Sequence, residues 1–154
     1  MRVRIRLFGL AFALACALSV AAQQPEKGYW RAASHSAESI TGDISFSGSR
    51  ISINSASFLI SPVRLLKPAE VSAAFDEEAA TAGNGQLYRV SIPATHHFLK
   101  NNTLCGSQET QWIAVYVANH TLRMAFFSGD DVPVMSFEAL QGSNDLCGTY
   151  TYVR

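Results

Sequence analysis

The stretch QWIAVYVANHTLRMAFFSG, residues 111–129, holds the densest apolar pattern of the chain, and its reading decides the fold. Taking Asn119-His120 as a two-residue turn sets Ala118 opposite Thr121. Counting outward then pairs Val117 with Leu122, Val115 with Met124 and Ile113 with Phe126. All three outer pairs are apolar, so this face of the hairpin belongs to a core. The same register places Trp112 opposite Phe127, Ala114 opposite Ala125 and Tyr116 opposite Arg123. A face in water is normally more polar than this, so the second face also needs a cover. The candidates are a helix packed on the sheet, another molecule, or a ligand in a barrel interior. The two alanines favour close approach by a helix, with Arg123 stacked on Tyr116 at the rim.

Outward from this hairpin the pattern stays β-rich. DISFSGSRISI, residues 43–53, alternates on either side of Gly48-Ser49 and pairs Phe46 with Ile51 and Ile44 with Ile53. A strand is expected over Ser57–Leu66, with Pro62 marking an edge, a bulge or an interruption. Further strands are expected over Gln86–Pro93, weakly over Val132–Phe137, and over Leu146–Val153 at the C-terminus. Between them the period changes once. Pro68 suits a first helical turn, Glu70 suits its positive end, and Val71, Phe75 and Ala79 share one face, so one short helix is inserted near Pro68–Glu78. The segment Thr81–Gly85 reads as its flexible stop, and His96–Gln111 as a long connection. About eight short strands in hairpin succession imply an all-β, antiparallel up-and-down barrel, with a β-sandwich as the alternative; closure removes exposed edges.

The first residues place Arg2, Arg4 and Arg6 ahead of an apolar run, Leu7–Leu18, and Val20-Ala21-Ala22 supplies a small-residue cleavage site. Residues 1–22 therefore read as a secretory signal peptide, leaving a single domain over residues 23–154. A lipid anchor through Cys16 is the lesser alternative. A periplasmic or secreted location follows, and no later run is long enough to span a membrane. Two cysteines remain in the mature part, and in an oxidising compartment Cys105 and Cys147 read as one disulfide. The mature part carries a net charge of about −3, which argues against nucleic-acid binding.

No catalytic constellation stands out. His35, His96, His97 and His120 lack metal-ligand spacing and read as loop histidines. Asp130 and Asp131 lack the alternating oxygen ligands of a calcium loop, and Asp43 and Glu138 form no recognisable acid pair. No nucleophile elbow, phosphate loop or metalloprotease helix occurs. Neither a metal nor a cofactor is expected.

Gly28-Tyr29-Trp30 near the mature start, followed by a β-meander and a disulfide to the last strand, resembles the lipocalin and wider calycin pattern. That resemblance implies an eight-stranded barrel closed at its base by Trp30 and the carriage of small apolar ligands. SITGDI (39–44), NTLCGS (102–107) and LCGTYTY (146–152) also resemble segments of small exported bacterial proteins without assigned activity. The expected function is a non-enzymatic exported β-barrel that binds a small apolar ligand or an envelope protein. Trp30, Trp112, Tyr116, Arg123 and Phe127 are the candidate ligand-binding residues. The alternatives are an inhibitor of a secreted or envelope enzyme, acting through the loop 96–102, and a hydrolase with an unrecognised site.

Overall fold

The computed structural model describes residues 24–78 and 84–154. The expected signal peptide over residues 1–22, the Cys16 alternative and Ala79 lie outside the described residues. Eight antiparallel strands form a closed barrel in simple chain order: β1 (Gly28–Ala32), β2 (Ile44–Ser47), β3 (Arg50–Ile53), β4 (Ala56–Leu65), β5 (Gly85–Ile92), β6 (Thr110–Ala118), β7 (Thr121–Phe127) and β8 (Leu146–Val153). Among the described residues two α-helices interrupt them, α1 (Pro68–Phe75) and α2 (Phe137–Gln141), together with a π-helical turn at Ala37–Thr41 and a 3-10 turn at Leu99–Asn101. None of the described helices is long and apolar enough to cross a membrane.

The register of β6 on β7 is the one the hairpin pattern predicts. Ile113 faces Phe126, Val115 faces Met124, Val117 faces Leu122 and Trp112 faces Phe127. Asn119 takes up the turn at φ 53°, a left-handed conformation that asparagine tolerates. β2 and β3 pair Ile44 with Ile53 and Phe46 with Ile51, also as predicted. Inward-pointing side chains fill the barrel: Trp30, Phe46, Ile51, Tyr88, Phe126 and Tyr152 are all buried in one continuous cluster.

Two expectations need correction. Val132–Phe137 is not a strand: both edges of β7 are already taken, by β6 and β8, so the alternating valines find no partner, and Pro133 lacks a donor to offer one. The eighth strand is β1 instead, which joins β2 over Gly28–Trp30 and closes on β8 through Arg31 and Ala32. Ser34 reinforces this short seam, because its Oγ accepts the Thr151 N–H at 3.1 Å. The inserted helix ends at Phe75, where Asp76 adopts φ 55°.

β4 outruns its neighbour. β3 pairs only with residues 56–59, whereas residues 60–65 pair with β5, with Pro62 and a register shift between Pro62 and Arg64 in that half. Below the barrel, Glu26 is buried and accepts the Tyr88 hydroxyl, and its backbone carbonyl accepts Trp30 Nε1–H at 2.6 Å. The Arg154 guanidinium lies 4.3 Å from the Trp30 ring centroid and closes the same end.

Cys105 and Cys147 are bonded, with Cα atoms 5.0 Å apart, and join the connection before β6 to β8. The 42-residue separation corresponds to about 4 kcal/mol of loop-closure entropy. The double variant Cys105→Ala/Cys147→Ala should therefore lose about 2–4 kcal/mol of unfolding free energy in urea titrations, with a higher m-value because the freed denatured chain exposes more surface. A loss below about 0.5 kcal/mol would show that the closed barrel already restrains this loop.

Candidate functional site

The second face of the β6–β7 hairpin is covered by the protein itself. Trp112, Ala114 and Tyr116 of β6 and Ala125 and Phe127 of β7 are buried beneath Val71 and Phe75 of α1 and beneath Met135. Eight residues make too short a helix to persist alone in water, so α1 depends on this contact. Burying its Val71 and Phe75 contributes about 1.5–3 kcal/mol each. Gly85, expected as part of a flexible stop, is instead a buried residue at the start of β5. A Cβ there would lie 3.0 Å from Leu66 Cβ and 3.2 Å from Val71 Cγ2, so the glycine sets how closely α1 can approach the sheet.

Polar contacts fix both ends of α1. At the start, Glu70 Oε1 and Oε2 accept from Arg64 Nη2 and Nη1 at 2.7 Å each, and Oε2 also accepts the Lys67 N–H at 2.8 Å. The bidentate Arg64 contact comes first among the causes that hold the Glu70 carboxyl below its ordinary range. Beyond the other end, Arg123 donates to the Phe75 carbonyl at 2.9 Å and pairs with Glu77 at 3.1 Å. Arg123 stands opposite Tyr116 in the register, as expected, and its guanidinium donates to these two partners. On the same face Arg89 lies 4.5 Å from the Trp112 ring centroid.

The sequence-predicted site residues therefore separate. Trp30 belongs to the barrel interior, and Trp112, Tyr116 and Phe127 form the floor under α1. Arg123 sits at that floor's edge. His96, expected as a solvated loop residue, is half-buried in an edge-to-face stack with Phe58 and Phe98, at 5.1 and 4.6 Å. His97 contacts the Asn101 carbonyl within the same loop. Asp43 is engaged by Tyr29 and by the Ala32 N–H, with the Tyr29 bond the main cause of its lowered pKa. Among the described residues no cluster of three or more His, Cys, Asp or Glu side chains could hold a metal.

Beside the floor lies a feature that sequence reading missed. Between α1 and residues 132–137 runs an open groove of about 970 Å³. One wall is the outward side of α1, with Ala69 and Ala73, and the other is Val132–Phe137. Only Met135 of that second wall turns inward. Val132, Val134 and Phe137 remain 48 %, 70 % and 64 % exposed. Arg64, Lys67 and Glu70 line the rim.

The Arg64–Glu70 latch makes a pH-dependent contribution with a definite sign. The folded pKa of Glu70 lies below the 4.5 of an unperturbed glutamate, so the stabilisation is present above that pH and is lost as pH falls through the lower folded pKa. Glu70→Gln should accordingly be less stable than wild type at pH 7, and the difference should shrink as pH falls below 4.5 and through the lower folded pKa. Equal stability of the two proteins at pH 7 would show that the latch is neutral. Comparisons of the chain with protein-family models, with curated proteins and with solved structures return no match in any of the three.

Proposed function

We propose that the chain is an exported, non-enzymatic binding protein that holds an apolar ligand in the groove between α1 and residues 132–137. The observation that carries this reading is the exposure of Val132, Val134 and Phe137 along one concave wall, in a protein that buries both faces of its central hairpin. Concave, mainly apolar clefts with a few polar groups at the rim are the common form of a small-ligand site, and this volume falls in their range. The barrel interior is the less favourable place, since Trp30, Phe46, Tyr88, Phe126 and Tyr152 already fill it. Trp112, Tyr116 and Phe127 take a supporting part in this reading, as the buried floor that holds α1 and Met135 in position.

Both mature cysteines are bonded to each other, and His96 and Asp43 are committed to structural contacts. The neutral probe N-phenyl-1-naphthylamine should gain fluorescence on the folded protein. Val134→Asp should weaken that binding about tenfold or more, because the bound probe would desolvate an unpaired carboxylate. Val134 is solvent-exposed, so the melting temperature should hold; undiminished probe binding by this variant would remove the groove from the proposal.

A further inference from the structure

Three charged side chains line the groove: Arg64, Lys67 and Glu70. The Glu70 carboxylate is already used on both oxygens, by the two Arg64 bonds and by the Lys67 backbone N–H. One carboxylate thus faces two cations, and the lining residues sum to +1. The exposed Lys67 ammonium meets no second anion among the charged residues of this lining. The N-terminal end of α1, immediately beyond Lys67, adds partial positive charge of the same sign. The remaining lining is alanine, valine, proline, methionine and phenylalanine, with two serines.

From this pairing of an apolar wall with a net cationic rim, we infer that the groove takes a single-chain amphiphile with an anionic head, such as a long-chain carboxylate. Its chain lies against the Val132–Phe137 wall and its head at Lys67. A cationic head seated at Lys67 would meet two positive side chains, and a neutral one would add no partner for the Lys67 ammonium; Asp130, Asp131 and Glu138 stand next to the wall in the chain but are not among the groove's lining residues. An anionic bilayer is the poorer occupant, because exposed Asp130, Asp131 and Glu138 flank the apolar wall and would face its headgroups. The inference rests on the reading of the groove as a ligand site and adds the chemistry of the head.

Isothermal titration of the folded, disulfide-bonded chain with dodecanoate and dodecyltrimethylammonium below their critical micelle concentrations, and with dodecanol below its solubility limit, separates the two claims. Dodecanoate should bind one to one, about three- to tenfold more tightly than dodecanol, with the ammonium weakest. Raised salt should narrow the gap. Lys67→Gln should bring dodecanoate to the dodecanol level and leave dodecanol unchanged, while Val134→Asp should weaken both. Lys100→Gln, on a separate exposed loop, should change neither. Equal binding of dodecanoate and dodecanol, insensitive to Lys67→Gln, would overturn the anionic head and leave the apolar groove standing. Failure of all three amphiphiles would overturn both. Co-sedimentation with phosphatidylglycerol vesicles, without a one-to-one dodecanoate complex, would overturn the inference in favour of a membrane surface.

Discussion

A hairpin that is apolar on both faces cannot leave either face in water, and the β6–β7 pair imposes that constraint on everything around it. The inner face is satisfied by curling the sheet until the inward side chains of all eight strands meet. The outer face cannot use the same solution. It needs a separate lid, which the chain supplies from two distant places, α1 after β4 and Met135 after β7. The small residues at the contact make this possible. Ala114, Ala125 and Gly85 leave the sheet low enough for α1 to seat, and larger side chains there would hold it off.

The lid is built from two pieces that do not meet along their whole length, and the groove is the space between them. Each piece has one side committed to the sheet and another left free. On α1 the committed side is Val71 and Phe75, and on the second segment it is Met135. The two free sides then face one another across a gap whose polar residues already serve a structural purpose. Arg64 and Glu70 anchor the helix start, and the charge left over at Lys67 follows from that anchoring.

Much of the barrel was legible because antiparallel pairing is a local rule. Once a turn is placed at Asn119-His120 or Gly48-Ser49, residue counting gives the partners, and the apolar side chains mark which face is inside. β1 was harder: Gly28–Ala32 contains a single fully buried side chain, Trp30, too little alternation to reveal a strand. Val132–Phe137 failed in the opposite way. It alternates, but alternation cannot say whether a neighbouring strand has a free edge. The disulfide was legible from the two cysteines that remain once residues 1–22 are read as a signal peptide. The groove was not, since residues 64–73 and 132–137 are brought together by packing on a common floor and share no pattern in the chain.

The unequal lengths of β3 and β4 have a consequence for how the molecule behaves in a crowd. Where β4 outruns β3, a strand edge faces outward, and Val63 and Leu65 are exposed beside it. Such an edge is a template on which a second copy could add a strand and begin a fibre. Pro62 cannot donate a backbone hydrogen bond, and the register shift between it and Arg64 bends the ladder out of the flat geometry that stacking requires. The irregularity in β4 thus acts as a built-in guard against self-association, placed at the one half of the strand where barrel closure does not supply protection.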